Sequence, residues 1–181
     1  MFLVLAISCA GPVTTTPSDS PPSLATDLAT PRPSIVLPGG APSFRQILAS
    51  AKTSEYRIVY KFSATRDQDT VEGEYGCVKE SGAPGCVGST EASGLPQDAT
   101  TVQETIIRSP EKFDGVLVET RQITGQQAHC YDVRTVDAAA AFSDGRFCYT
   151  RAGVPLLQRF KLTGAEYTLE ATSVSVSASQ P

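Results

Sequence analysis

The sequence contains no tryptophan, no asparagine and only one histidine, and its lysines and arginines form no cluster. Without asparagine there is no acceptor for N-linked glycosylation, and hairpin turns must rely on glycine and aspartate. The 181 residues carry a formal net charge of −4 at pH 7. Because nucleic-acid binding requires clustered basic side chains, this composition argues against a nucleic-acid partner. The length suits one domain with a tail.

No apolar run approaches the roughly 20 residues that a transmembrane helix requires. The apolar residues from Met1 to Ile7 are instead followed by Ser8 and Cys9. This pattern looks like the end of a bacterial lipoprotein signal peptide, in which the cysteine is lipidated. We expect residues 1–9 to be a truncated lipoprotein signal, with Cys9 holding the protein at a membrane of the cell envelope, outside the cytoplasm. The alternative is a frayed apolar tail with an incidental cysteine.

The segment 10–42 has the composition of a tether. It contains eight of the thirteen prolines, nine serines or threonines and no aromatic residue. Such a segment cannot bury enough apolar surface to offset the entropy lost on ordering, so we expect it to be disordered. The sequence therefore predicts a folded domain over residues 43–178, tethered to a membrane anchor.

Four further cysteines lie in the predicted domain, and four cysteines allow three pairings. An exported chain meets an oxidising compartment, where disulfides persist. We favour Cys77–Cys86 and Cys130–Cys148, because each pair brackets a turn-rich segment. The rival interpretation is a four-cysteine zinc site, but zinc ligands are usually only two to four residues apart within a pair. We therefore expect no metal and no cofactor.

One helix has a clear start. Ser43 and Gln46 fit a capping box, and Phe44, Ile47 and Leu48 follow the spacing of one apolar helix face. The helix is expected to end near Thr53, and a short helical turn is expected at Ala138–Phe142.

After this helix the apolar period changes to two, as in Tyr56-Arg57-Ile58-Val59-Tyr60-Lys61-Phe62. Further strands are predicted at Val71–Cys77, Thr101–Arg108, Gly115–Ile123, His129–Arg134, Arg146–Arg151, Pro155–Leu162, Ala165–Ala171 and Ser173–Ser177. Sequential strands with short connections favour antiparallel pairing. The predicted fold class is mainly β, a curved antiparallel meander of seven to nine strands with one N-terminal amphipathic helix.

A single helix of three turns cannot cover the apolar face of such a sheet. Either the sheet curls onto itself and fills its core, or part of the face remains open as a cavity. We expect the large apolar side chains of this face to form a ligand-binding site, with these residues as its lining: Tyr60, Phe62, Tyr75, Ile106, Val116, Val118, Phe160, Leu162, Tyr167 and Leu169.

The order of these features resembles the LolA-like family of bacterial lipoprotein carriers, which includes LppX/LprG-like lipoproteins. The matching segments are the first strand Tyr56–Phe62, the strands containing Cys130-Tyr131 and Cys148-Tyr149, and the turn Gly153-Val154-Pro155. The resemblance implies a half-open β-barrel whose hydrophobic cavity holds acyl chains. It therefore implies a lipid or an acylated partner as ligand, bound for transport or sensing. The alternative is a protein-interaction or sensor module with a filled core.

Catalytic chemistry has little support in the sequence, and we expect no enzyme. His129 is followed by Asp132, but no nucleophile elbow is present, so a solvent-facing strand histidine is the favoured interpretation. Glu72 and Glu74 share one face of a strand and are expected to be solvated there. Asp67 and Asp69 are interpreted as a polar turn, because the spacing of a calcium loop is absent.

Overall fold

The computed structural model describes residues 40–88, 95–137 and 142–176, without the side chains of 95–98. The predicted signal segment, the lipidation site Cys9 and nearly all of the predicted tether lie outside the described residues. The predicted helical turn at 138–142 lies outside them too, apart from Phe142, which begins a strand.

The described residues form two helices, one short 3₁₀ turn and eight strands. In chain order these are α1 (Phe44–Thr53), β1 (Tyr56–Arg66), β2 (Asp69–Lys79), β3 (Gly85–Gly88), α2 (Leu95–Arg108), the 3₁₀ turn (Pro110–Lys112), β4 (Phe113–Ile123), β5 (Gln126–Thr135), β6 (Phe142–Tyr149), β7 (Pro155–Leu162) and β8 (Ala165–Val176). No helix among these described elements is long and apolar enough to cross a membrane.

The strands form one antiparallel sheet in the order β3-β2-β1-β8-β7-β6-β5-β4. The mainly β, curved antiparallel architecture predicted from the sequence is thus confirmed. Strands that are neighbours in the sheet are also consecutive in the chain, except that β1 pairs with β8 near the centre. The helix α2 lies in the chain between the two edge strands, β3 and β4. The sheet is open, with β3 and β4 at its two edges.

Helix α1 begins as predicted. The backbone N–H of Gln46 donates to Ser43 Oγ and the Ser43 N–H donates to Gln46 Oε1, which completes the capping box. Its buried face consists of Phe44, Ile47, Leu48 and Ala51.

The predicted strand at Thr101–Arg108 is wrong, because this segment belongs to α2. Its β-branched residues favour a strand locally, but its buried residues Ala99, Val102, Gln103, Ile106 and Ile107 repeat with a helical period. The chain therefore has a second helix that packs against the sheet, and Ile106 reaches the core from this helix instead of from a strand.

Both predicted disulfides are confirmed. Cys77 and Cys86 join β2 to the edge strand β3, and Cys130 and Cys148 join β5 to β6. In each case the two cysteines lie directly opposite one another in the ladder. Each disulfide therefore fixes the register of one strand pair.

The far end of β4 folds over the face of the sheet that points away from the helices, which we call the outer face. Arg121 of β4 lies 3.6 Å from Glu170 of β8, although four strand spacings, about 19 Å, separate these strands in a flat sheet. A β-bulge between Leu117 and Glu119 allows the strand to bend. The fold-over accounts for the burial of Leu157, which shares a ladder row of the outer face with Glu170.

Candidate functional site

The candidate site is the inner face of the sheet, which lies beneath α1 and α2. Seven of the ten residues predicted to line a ligand site are buried there: Tyr60, Phe62, Tyr75, Phe160, Tyr167 and Leu169 from strands and Ile106 from α2. The register places Phe62 opposite Leu169 and Phe160 opposite Tyr167. The structure therefore brings most of the predicted residues together.

The other three predicted residues lie elsewhere. Leu162 and Val118 are only half-buried at the margin of the core. Val116 lies opposite Asp132 in the ladder, and its side chain is 58% exposed. The reason is the strand period, since Val116 points to the face opposite that of its neighbour Leu117.

One end of the inner face is a cluster of aromatic rings, which we call the aromatic end: Phe62, Phe142, Phe147, Phe160 and Tyr167. Phe160 stacks on Phe147 at 5.9 Å and on Tyr167 at 5.3 Å between ring centroids. Phe142 meets Phe160 edge-on at 5.9 Å. Offset and edge-on geometries of this kind are the favoured ones for aromatic pairs.

The other end of the inner face carries hydroxyl and amide groups, and we call it the polar end: Tyr56, Tyr60, Tyr149, Gln103 and Gln158. Gln103 of α2 is its centre. Gln103 Nε2 donates to the Tyr56 hydroxyl at 3.4 Å, and Gln158 Nε2 donates to Gln103 Oε1 at 2.8 Å. The Tyr60 hydroxyl donates to the carbonyl of Pro155 at 2.9 Å. These bonds join α2 to the floor of the site.

Two buried polar atoms of the polar end have no hydrogen-bond partner among the described residues. They are the hydroxyl of Tyr149 and Oε1 of Gln158. Gln158 is only 2% exposed and Tyr149 is fully buried. Buried polar groups are nearly always paired, so two orphans in one small region mark the place where a further group can bind.

Burial also fixes the charge state of the polar end. Desolvation raises the pKa of Tyr56 to about 12 and raises the pKa of Tyr60 and Tyr149 further. The phenols are therefore neutral at physiological pH. Neighbouring phenols contribute to these shifts, which places the hydroxyl of Tyr149 near Tyr56 and Tyr60.

Lys79 lies beside the polar end but is already bound. Its ammonium donates to the backbone carbonyls of Ala51 and, at 3.2 Å, Lys52, at the C-terminus of α1. A cation is favoured there by the helix dipole. Burial lowers the pKa of Lys79, while Glu104 of α2 opposes this effect. The ammonium thus caps a helix.

Two glycines let α1 lie close to the sheet. A side-chain carbon at Gly115 would overlap the Phe44 ring, and one at Gly153 would overlap the backbone at Ala51. Phe44 packs on Tyr131 with 5.3 Å between ring centroids, and the Tyr131 hydroxyl donates to the Pro42 carbonyl at 2.6 Å. Helix α1 is therefore a tightly fitted part of the cover.

The prediction for His129 is wrong, because its side chain is buried and not solvent-facing. His129 and Tyr131 lie two residues apart on β5, and both point to its inner side. The Nδ1 atom of His129 lies 3.3 Å from the Thr120 hydroxyl. Burial lowers the pKa of His129, and the nearby charge of Arg151 lowers it further.

The predicted surface carboxylates occupy exposed positions. Glu72 lies on the outer face, 3.9 Å from Lys61, and Asp67 forms part of the tight turn between β1 and β2. Within the described ranges, no three histidine, cysteine, aspartate or glutamate side chains lie close enough to hold a metal ion.

A shallow apolar groove of about 400 Å³ runs along the outer face at the β3 edge. Val59, Val78 and Val87 line it, and Val87 is 79% exposed. We call it the valine groove. Gly76 and Gly85 form part of its floor, and neither has a positive φ. A side-chain carbon at either glycine would approach only one backbone oxygen, at 3.9 Å. Packing against the described residues therefore does not require these glycines.

Sequence reasoning missed the polar end. Gln158 ends the apolar run Pro155-Leu156-Leu157, and Gln103 interrupts the apolar positions of α2. A glutamine at a position that the period assigns to the core is the signal that could have identified both residues.

No known protein-family profile matches the chain, and no curated protein matches it in sequence. Among solved structures, the chain is similar to MucB, with 15% identity and a TM-score of 0.45. The match covers 76% of this chain and 58% of that one. A structure of the Pseudomonas aeruginosa MucA/MucB complex matches with 16% identity and a TM-score of 0.43, covering 76% and 56%.

The LolA superfamily protein NE2245 from Nitrosomonas europaea matches with 8% identity and a TM-score of 0.37. This match covers 78% of this chain and 96% of that one. The chain spans less than two thirds of the length of the MucB structures.

Proposed function

We propose that the domain binds an apolar or amphiphilic ligand, a lipid or the acyl chains of a lipoprotein, between the inner face and α2. The observation that carries this proposal is the division of the inner face into an aromatic end and a polar end beneath a separate helix. The aromatic rings suit acyl chains, and the hydroxyl and amide groups suit a polar head. Transport or sensing of that ligand is the role that follows, and no catalytic step is proposed.

Helix α2 is the movable part of the proposed site. Its apolar residues rest on the sheet. Its described polar contacts include the bonds of Gln103, a 2.8 Å bond between the hydroxyls of Thr100 and Tyr75, and a 3.8 Å contact from the Thr100 hydroxyl to Cys86 Sγ. Displacing α2 would allow acyl methylenes to replace its side chains against the aromatic end. Each methylene removed from water contributes about 0.8 kcal/mol, so an acyl chain of ordinary length can offset the apolar burial that the helix gives up.

Two disulfides support an extracytoplasmic location, because the cytosol keeps thiols reduced. We further propose that Cys9 is lipidated and that the segment 10–42 tethers the domain to a membrane. A tether restricts the domain to the neighbourhood of the bilayer, where an apolar ligand is available. Mass analysis of the mature protein, compared with a Cys9→Ser variant, tests the anchor.

The binding test uses the full chain, exported and oxidised in a bacterial periplasm. Displacement of N-phenylnaphthylamine by palmitoyl ligands reports on the site, and native mass spectrometry gives the stoichiometry. We expect Phe160→Ala to change the affinity about tenfold or more, because it removes the ring that touches three others. Val116→Ala is the matched control, because Val116 lies on the outer face, and it should bind like the wild type.

Phe160→Ala removes core volume and can fail to fold, so Ile106→Val is the second variant. It trims one methylene from α2 and should alter binding while leaving the far-ultraviolet circular dichroism unchanged. Failure of the wild type to bind any palmitoyl probe would overturn the proposal, as would equal effects of Phe160→Ala and Val116→Ala.

The valine groove supports a second candidate function, an interaction module. Gly76 and Gly85 lower strand stability, and no contact among the described residues requires a glycine at either position. Strand glycines often allow a second backbone to approach closely. The occupant that fits is an extended segment of another protein with apolar residues at alternate positions, lying beside β3. An acyl chain has no backbone N–H or C=O groups to pair with the neighbouring edge of β3, so this edge favours a peptide segment over a lipid.

Filling the groove tests this candidate. Gly76→Val should preserve or raise stability, because there is space for the side chain, and should abolish photocrosslinking of a peptide segment from a reactive group at position 87. Thr70→Val, on the same strand, is the control. Crosslinks that persist unchanged in Gly76→Val would exclude the groove as the docking site.

A further inference from the structure

The polar end contains two orphan atoms whose positions define the chemistry of a ligand group. The Tyr149 hydroxyl can donate one hydrogen bond and accept others, and Gln158 Oε1 accepts. Leaving such a group buried and unpaired costs about 1–3 kcal/mol. A phenylalanine would avoid this cost at position 149, as it does at Phe147 on the same strand. The hydroxyl is therefore a feature that packing alone does not favour.

The two orphans lie in the same small region. Gln158 lies opposite Phe147, and Tyr149 follows Phe147 by two residues on the same face of β6, where a register shift brings it opposite Pro155. Tyr60 links the two residues, because its hydroxyl interacts with the side chain of Gln158 and lies near that of Tyr149. One small polar group lying between them can bond to both. We call this position the hydroxyl socket.

The surroundings of the socket select against charge. Among the described residues, Lys79 is the buried ammonium, and it already bonds to the end of α1. Glu104 of α2 lies near Tyr56 and would repel an anion. His129 lies opposite Tyr149 in the ladder, and burial and the charge of Arg151 lower its pKa, which favours its neutral form. Arg151 itself is exposed to solvent. The remaining groups of the polar end are neutral phenols and amides. Burying an unpaired carboxylate or phosphate there would cost several kcal/mol.

We infer that the hydroxyl socket selects neutral, hydroxyl-bearing lipids, of which glycerides are the simplest class, over anionic lipids of the same chain length. The inference rests on the proposed function and names its ligand class. A glyceride hydroxyl accepts from Tyr149 Oη and donates to Gln158 Oε1, which satisfies both orphans at once. An ionised carboxylate offers only acceptors, and its charge has no free cation to meet among the described residues of the polar end.

The experiment compares three probes with the same chain length, monopalmitoylglycerol, palmitate and hexadecane, at a pH of about 8, where palmitate is ionised. Binding to the full oxidised chain is measured by probe displacement and native mass spectrometry. We expect monopalmitoylglycerol to bind about tenfold or more tightly than palmitate. Tyr149→Phe and Gln158→Met should each weaken monopalmitoylglycerol about three- to tenfold, the effect of one neutral hydrogen bond, and leave hexadecane unchanged.

Stability provides an independent readout. Tyr149→Phe should raise the unfolding midpoint of the ligand-free protein while weakening glyceride binding, since it removes an unpaired hydroxyl. Tyr131→Phe is the matched control, because its hydroxyl already donates to the Pro42 carbonyl and it belongs to neither end of the proposed site. It should not change the preference between glyceride and carboxylate.

The outcomes separate the two proposals. If no probe binds, the proposed function and the socket both fail. If hexadecane or palmitate binds as well as the glyceride, the proposed function stands and the socket is overturned. The socket is also overturned if the glyceride preference survives in both Tyr149→Phe and Gln158→Met. A Tyr149→Phe variant with a lower unfolding midpoint and an unchanged preference would overturn it as well, and would mean that the hydroxyl only holds a buried water.

Discussion

Gln103 of α2 and Gln158 of β7 form a direct side-chain bond between the cover and the floor of the inner face, with 2.8 Å between Gln158 Nε2 and Gln103 Oε1. Both side chains are buried, and Gln103 also donates to the Tyr56 hydroxyl. The bond makes the position of α2 on the sheet specific, because apolar contacts alone would allow the helix to slide.

Replacing Gln103 tests this role. Gln103→Leu keeps the volume but leaves Tyr56 and Gln158 without an amide partner, and should lower the free energy of unfolding by about 1–3 kcal/mol. Urea unfolding measures the change, and hydrogen exchange should show faster opening in α2 than elsewhere. The control is Gln127→Leu on the exposed β4–β5 hairpin, which should change stability by less than about 0.5 kcal/mol. Equal effects would contradict the assignment.

Gly153 and Gly164 offer a matched pair for the packing of α1. Both have positive φ, of 82° and 81°, so alanine at either position carries the left-handed penalty of about 1–2 kcal/mol. Only at Gly153 would the added carbon also meet α1, at Ala51. Gly153→Ala should therefore destabilise the domain clearly more than Gly164→Ala in urea titration. If the two variants lose similar amounts of unfolding free energy, α1 can shift to accommodate the added carbon without a measurable loss of stability.

The stability of the domain should fall on mild acidification through His129. Its pKa in the folded state is lowered, by burial first and by Arg151 second, so protonation favours the unfolded chain. This contribution is complete above about pH 6.5 and is lost as the pH falls through that value toward the folded pKa. His129→Gln should flatten the dependence of stability on pH between about pH 7 and pH 5, measured by urea unfolding. If the unfolding free energy of His129→Gln changes with pH as steeply as that of the wild type, other titratable groups cause the pH dependence.

The two disulfides should differ in their reaction with a reductant under native conditions. Cys130 and Cys148 are fully buried, whereas Cys86 is only half-buried on the edge strand β3. Thiol–disulfide exchange needs access to a sulfur atom, so Cys77–Cys86 should be reduced first. Alkylation followed by peptide mass analysis gives the order. Simultaneous modification of all four cysteines would instead indicate global unfolding before reduction.

The sequence predicts well the elements whose local signals agree with their environment. The capping box at Ser43 and Gln46 locates α1 to the residue, and strict alternation identifies β1 and β7. Two strands are predicted over residues 165–177, but the alternation continues and β8 is a single element. The sulfur pairing follows from the turns that each pair encloses.

The failures arise where tertiary packing overrides local preference. Thr101, Ile106 and Ile107 favour strands, yet α2 is a helix because its buried positions face the sheet with a helical period. The burial of His129 arises from the tertiary fold, which a single strand pattern cannot reveal. Gln103 and Gln158 lie 55 residues apart, so their meeting requires the fold itself.

The central position of the β1–β8 pair has a consequence for biogenesis. Strand β1 has only β2 and β3 beside it until residues 165–176 arrive, so a chain emerging N-terminus first holds two separate sheet fragments with unpaired central edges. Cooperative folding must wait for the last strand. Until β8 arrives, the edges of β1 and β7 stay unpaired and can pair with other chains.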